Sequence, residues 1–530
     1  MKALLMHRDR DFDPDADLPP NAQDLTQDLE LDILLAAMSG GDPFLLGVAR
    51  SAVLVGVQDP GVIVYRQRIL ADCLQQPEVV RELYAIAEEA VLREKKIWAG
   101  VFGDRYPEGL LHRSVQVLQL FVTLLRRIRG IADERAGAFA SEGFRAFFAM
   151  IEHELDDAYI ASIENHLRRL EFRDGLLISA ELGAGNKGTQ YVLRGAVRRR
   201  QGWKDRILPD RSGFVYQLPD RDEAGFRALS ELRDRGLALV AIALSQSTDH
   251  ILSFFTMLRT ELGFYVACLN LHDRLAAAGG PVVFPEVSAG APVLTGRGLY
   301  DPCLSLETAG PVVGNDVAAD GRRLVMVTGA NRGGKSTFLR SIGLAQLMLQ
   351  CGMFVAAEQF RADVCDGVFT HFAREEDESM TSGRFDEELG RMRGIVGQVG
   401  RGSLVLLNES FASTNEREGS EIAGQIVRAL VDSGVKVCYV THLFDLARAF
   451  HGQPSLRALF LRAERLDDGT RTFRLVEGDP LPTSFGEDVY RQVFGETIAA
   501  STLPDVAMRL AAPDAERRRT AEPSADGLCA

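Results

Sequence analysis

The chain has 530 residues, too many for one hydrophobic core, so two to four domains are expected. It is 46% hydrophobic and 25% charged, with a net charge of -14, which excludes a surface that grips nucleic acid throughout and confines any such contact to a local basic patch. No uninterrupted apolar run reaches the roughly 18 residues of a membrane span, the N-terminal apolar stretch is too short for a signal peptide, and the seven singly placed cysteines read as reduced core thiols of a cytoplasmic protein.

In chain order, residues 1–28 are acidic, proline-bearing and aperiodic and read as a flexible arm. Residues 29–288 carry helical periodicity over long stretches, each wanting a partner face, and read as a helical core with lever arms. Within them, residues 178–218 alternate and hold glycines, which predicts a short β excursion. It carries the densest basic patch of the chain, Arg198, Arg199, Arg200 and Lys204, read either as a solvated loop or as a contact to nucleic-acid backbone. Residues 289–510 change to short β-branched runs followed by helical patterns, the grammar of a mainly parallel sheet with crossover helices. Residues 511–530 read as a disordered tail. The fold class is therefore α + α/β.

The third of these regions holds G-x-x-x-x-G-K-S: Gly329, Ala330, Asn331, Arg332, Gly333, Gly334, Lys335 and Ser336, then Thr337. Glycines at those points let backbone N–H groups turn inward around phosphate oxygens, and the following helix presents its positive end to the same anion. Lys335 is one of few lysines in the chain, and this pattern assigns it to the β- and γ-phosphates of ATP, with the Ser336 hydroxyl on Mg²⁺. Further on, "SLVLLNES" ends a strand on Asn408 and Glu409, where a P-loop ATPase offers a metal-side acid and then a base for the attacking water. Glu409 fits the base. Asn408, on the metal side, carries no charge. "VKVCYVTH" delivers His442 to the same sheet edge, where it is read as a γ-phosphate sensor.

Taken in order, these residues resemble the MutS family of DNA mismatch-repair ATPases, of the ABC class of P-loop proteins. "TGANRGGKSTFLRSIGLAQLMLQCGMFVAAE" resembles its Walker A segment and following helix, "SLVLLNES" its Walker B strand, and "VTHLFDLA" its T-H switch. "GNDV" at 314–317 resembles the nucleotide-adjacent segment, and "TSGRFDEELGRM" stands where the family keeps its signature helix. The resemblance implies a homodimer formed through the ATPase domain, with Ser382 and Gly383 completing the partner's ATP site. It also implies DNA binding of low sequence specificity, a role in mismatch repair or other DNA repair or recombination, and a downstream repair protein as partner. Three departures stand out: Asn408 replaces the acid, the signature run is an imperfect match, and the N-terminal mismatch-reading domain is expected to be absent. F-x-E occurs at 284–286, 385–387, 485–487 and 494–496, all far from the chain start. The competing expectation is an ATP-binding scaffold that hydrolyses little and does not touch DNA.

Overall fold

The computed structural model describes residues 1–99, 106–172, 175–194, 217–288, 290, 292–374 and 383–481. The helical part contains α1 (Ala22–Asp28), α2 (Leu31–Ser39), α3 (Pro43–Val55), α4 (Pro60–Gln75), α5 (Pro77–Ala99), α6 (Pro107–Arg135), α7 (Glu142–Glu154) and α8 (Asp157–Arg169). Strands β1 (Leu177–Leu182) and β2 (Gly188–Arg194) form an antiparallel ribbon, and α9 (Glu223–Ala277) closes the set. Several helices start on Asp-Pro. Asp42 and Asp59 accept from the backbone N–H groups of Phe44 and Gly61, each at 2.7 Å, while the proline occupies a first-turn position whose N–H would be unpaired anyway. Leu155 and Asp156 break what reads as one long helix into α7 and α8, with Asp156 capping the second.

At 55 residues, α9 is about 80 Å long at 1.5 Å per residue. Its C-terminal half is buried against α5 and α6; Phe255 meets Phe121 at 5.2 Å between ring centroids, and Arg259 lies 3.7 Å over the Phe44 ring. By length and composition α9 is the one helix among the described residues that is long and apolar enough to cross a membrane, although charged residues interrupt its apolar stretch.

The N-terminal residues are not a flexible arm. Ala3, Leu5, Met6 and Phe12 are buried, and the segment crosses α4 and α9 as a strap. Glu261 of α9, fully buried, accepts from the backbone N–H groups of Leu5 (2.6 Å) and Phe12 (3.1 Å). The Tyr65 and Tyr265 hydroxyls donate to the carbonyls of Leu4 and Leu5 at 2.7 and 2.6 Å. Arg66 of α4 donates to the Met6 carbonyl at 2.9 Å and reaches the carbonyl of Cys351 at 3.3 Å, at the end of the phosphate-loop helix. The strap's polar backbone thus finds buried partners where its acidic composition suggests only water.

The C-terminal part contains β3 (Glu286–Ser288), β4 (Leu294–Leu299), α10 (Pro302–Thr308), β5 (Asn315–Ala318), β6 (Leu324–Gly329), α11 (Lys335–Cys351), β7 (Gln359–Asp363), β8 (Val368–Phe372), α12 (Arg384–Val396), β9 (Leu404–Asn408), α13 (Glu416–Asp432), β10 (Lys436–Val440), α14 (Phe444–His451), β11 (Leu459–Arg465) and β12 (Arg471–Glu477). The large sheet has the order β12-β11-β6-β10-β9-β8 and is parallel apart from its antiparallel edge strand β12. A second sheet, β3-β7-β4-β5, mixes directions, and β3 pairs with β7. Residues 286–288 therefore belong to the C-terminal part, whereas the sequence boundary at 288 assigns them to the helical one.

The period of two along β6 shows how the layers form. Val325 and Val327 enter a core continuous with the helical part through α11, while Leu324 and Met326 enter a core under α12, α13 and α14. The helical and C-terminal parts share the first of these cores. Val57 donates to the Gln350 carbonyl at 2.8 Å, and Gly352 approaches Arg66 so closely that an added Cβ would sit 2.5 Å from the arginine's own Cβ. The tail 511–530, residues 198–204 and Ser382 lie outside the described residues.

Candidate nucleotide site

Strand register brings the site together. Val440 of β10 stands opposite Val327 of β6 on one side and Asn408 of β9 on the other, so three parallel strands end at one edge beside the start of α11. Between β6 and α11 the chain must reverse closely. Gly329 has φ +103°, and a Cβ there would meet the backbone nitrogen of Ala463 at 2.9 Å; Gly334, φ +87°, caps α11 in the left-handed region. Arg332 takes φ +56° between them, and the Asn331 carbonyl accepts from Arg471 of β12 at 2.6 Å, which ties the loop to the edge hairpin.

Lys335 is buried, and its ammonium donates to the carbonyls of Gly329 (3.1 Å) and Ala330 (2.9 Å), folding over the mouth of the loop. Burial lowers its pKa to about 8, with the Glu409 carboxylate opposing the shift and Arg471 adding to it. The Ser336 hydroxyl donates to Oδ1 of Asn408 at 2.9 Å. Two neutral oxygen donors at this spacing suit Mg²⁺, a hard cation that keeps few protein ligands alongside waters and phosphate. Among the described residues no cluster of three or more His, Cys, Asp or Glu side chains forms another metal site.

Glu409, the residue after Asn408, has φ +55°, unusual for a side-chain-bearing residue. Its N–H donates to the Val440 carbonyl at 2.8 Å, and its Oε1 lies 3.0 Å from Nε2 of His442. The hydrogen bond from His442 is the main cause that holds the Glu409 carboxyl below its ordinary range, so it is ionised at neutral pH. A glycine loop, an ammonium, a paired hydroxyl and amide, and an ionised carboxylate steered by an imidazole thus lie together at one sheet edge. Such an arrangement can bind a nucleoside triphosphate and activate water against its terminal phosphate.

The comparisons with known proteins agree with this geometry. Residues 58–278 match the family model of the MutS2 N-terminal domain, and residues 325–500 match MutS domain V. The chain belongs to the MutS family. It is 34% identical over 178 residues to the DNA mismatch repair protein MutS of Thermotoga neapolitana, covering 33% of this chain and 22% of that one. It is 33% identical over 169 residues to the endonuclease MutS2 of Thermus thermophilus, covering 32% and 23%. With the DNA mismatch repair protein MutS of Thermus thermophilus it shares 32% identity over 285 residues, 53% of this chain and 34% of the relative. The chain thus spans between 22% and 34% of the length of these relatives.

In this MutS-family chain the structure brings Gly329 to Ser336, Asn408, Glu409 and His442 to one edge, with Thr337 in the first turn of α11. Gly383 precedes α12 as its N-cap; Ser382, Arg198, Arg199, Arg200 and Lys204 fall outside the described residues. His442 points at Glu409, a contact that the sensor role alone does not predict. Arg126, Arg127 and Arg129 of α6 pair with Glu164, Glu89 and Asp133 at 2.8 Å each. Sequence reasoning misses Arg471, and it places "GNDV" only by resemblance: Asn315 donates to the Phe473 carbonyl (3.2 Å) and accepts from the Leu475 N–H (2.7 Å), fastening β12 beside the loop. It also misses Glu388 and His371, which stand alone in the sequence.

Proposed function

We propose that this chain is a Mg²⁺-dependent ATPase whose ATPase domains close as a homodimer around ATP and whose helical part carries that closure to DNA, in mismatch repair or another repair or recombination process in the cytoplasm. The observation that supports it is the convergence of Lys335, the Ser336–Asn408 pair and the Glu409–His442 pair at one sheet edge, inside the segment matching MutS domain V. On this reading Lys335 leaves the loop carbonyls to neutralise the β- and γ-phosphates, and Glu409 takes a proton from the attacking water while His442 keeps its carboxylate aimed. Mg²⁺, when bound beside Ser336 and Asn408, supplies charge neutralisation at the phosphates. Ser382 and Gly383 of each subunit complete the other subunit's site, and closure persists while the γ-phosphate is present. DNA is held through its backbone by Arg198, Arg199, Arg200 and Lys204, and a downstream repair protein reads the closed state.

One observation favours a second reading. Asn408 adds no charge at the metal side, which suits an ATP-binding scaffold that hydrolyses little. Steady-state ATP hydrolysis with and without duplex or branched DNA separates the two. The ATPase reading predicts turnover that DNA alters; ATP binding with no turnover in either condition supports the scaffold.

A further inference from the structure

Behind Glu409, on the side away from the phosphate loop, a buried polar cluster ties α12 to the residues that follow β9. Glu388 of α12 is 2% exposed, and its Oε2 accepts from the Phe411 N–H (3.1 Å) and the Ser413 hydroxyl (2.9 Å). Its Oε1 is buried with no hydrogen-bond partner. His371 of β8 is wholly buried and lies between Ser410 and α12: Nε2 is 3.0 Å from the Glu388 carbonyl and Nδ1 is 2.7 Å from the Ser410 hydroxyl. A carbonyl only accepts, so Nε2 carries the proton, while the single proton of the Ser410 hydroxyl lies within reach of both Nδ1 and the His371 carbonyl, each at 2.7 Å. Burial, then the Arg391 charge, lowers the His371 pKa to about 4, consistent with this neutral tautomer.

The cluster surrounds a strained turn. Glu409 and Phe411 have φ +55° and +65°, a region that costs side-chain-bearing residues on the order of 1 kcal/mol or more and persists only where the surroundings impose it. The imposing contacts are the Val440 carbonyl on Glu409, the Tyr439 hydroxyl on the Ser410 carbonyl at 2.5 Å, the His371 ring stacked on Phe411, and the Glu388 carboxylate on Phe411 and Ser413. Ser410 and His371 are fully buried, so the pair is sealed from any substrate and is no nucleophile. A buried carboxylate with one idle oxygen is costly, and packing alone gives no reason to keep it.

We propose that Glu388 is a positioning residue for Glu409: its carboxylate, carried on α12, holds the turn that aims the base. The inference rests on the assignment of Glu409 as the base in the reading above. Because Gly383 caps α12, the Glu388 carboxylate, beside the His371 bridge, ties the helix that starts there to the turn of the local base.

The test compares the full chain with Glu388→Ala, Glu388→Asp and Glu388→Gln, measuring Mg²⁺-ATP turnover, ATP affinity and hydrogen exchange of the Phe411 amide. Misaiming a catalytic group by about 1 Å costs up to about 10²-fold, so Glu388→Ala should turn over on the order of ten- to a hundredfold more slowly with unchanged ATP affinity and faster Phe411 exchange. Glu388→Gln keeps an acceptor oxygen and should restore most of the turnover. Should the alanine variant not fold, Glu388→Asp, which withdraws the carboxylate by one methylene, carries the test with the same expected direction. Wild-type turnover in both the Ala and Asp variants overturns the proposal, as does a loss of ATP affinity in step with turnover. A wild-type chain that binds ATP without hydrolysing it overturns the ATPase reading instead. Phe411 exchange then decides the clamp by itself, and equal exchange in wild type and variant overturns it.

Discussion

The Lys335 ammonium is half satisfied by its own loop and partly desolvated, and this sets how ATP binding responds to pH. With its pKa in the free protein at about 8, Lys335 must regain a proton to bind phosphate at higher pH. ATP affinity should stay flat up to pH 8 and then fall by up to about tenfold per pH unit, by proton linkage; titration calorimetry from pH 7 to 9.5 checks this, and a flat profile contradicts it. Lys335→Ala should abolish binding while the fold survives. Asn408→Asp probes the other side of the site. A unit charge near a cation is worth a few kcal/mol at an effective dielectric of about 20, so half-saturation by Mg²⁺ should drop by at least about tenfold, seen as a lower Mg²⁺ requirement for turnover. An unchanged requirement would show that Asn408 does not face the metal. The phosphate-loop residues were legible in the sequence because their chemistry demands a fixed local spacing. Glu388, His371 and Ser410 were not: His371 is 17 positions from one partner and 39 from the other, and only strand order unites them.

Among the elements, helix starts at Asp-Pro were legible because the cap and the fixed proline φ act within one turn. The strap was not. Its aspartates and prolines resemble solvated chain, and the carboxylate that satisfies its backbone lies 256 positions from Leu5. Burial raises the pKa of Glu261 to about 7 from an ordinary 4.5, aided by the nearby Asp11 charge and opposed by the Leu5, Phe12 and Met6 N–H groups. Since the folded-state value is the higher one, this group's contribution to stability is fully present below about 4.5 and is lost as pH rises through about 7. The shift corresponds to ~3 kcal/mol. Thermal melts should therefore show the wild type losing stability between about pH 4.5 and 7, and Glu261→Gln losing less over that interval. Equal slopes would mean that the strap holds without titrating Glu261.

For the whole molecule, composition and periodicity pointed to a helical part followed by a parallel sheet, but not to the core they share. That core passes through α11, whose start holds the phosphate loop and whose end meets Arg66 and, through it, the strap and α4. The glycine-rich loop and the long helices thus sit on one packed body, as the proposed coupling of ATP to the helical part requires. The central claim is that bound ATP closes two chains and hydrolysis releases them. Removing a general base costs typically about 10²- to 10⁴-fold in rate and leaves ground-state contacts in place. The decisive measurement is sedimentation velocity of Glu409→Gln with and without Mg²⁺-ATP. The account predicts a stable ATP-dependent dimer in the variant and a transient one in wild type; a variant that binds ATP and stays monomeric would contradict it.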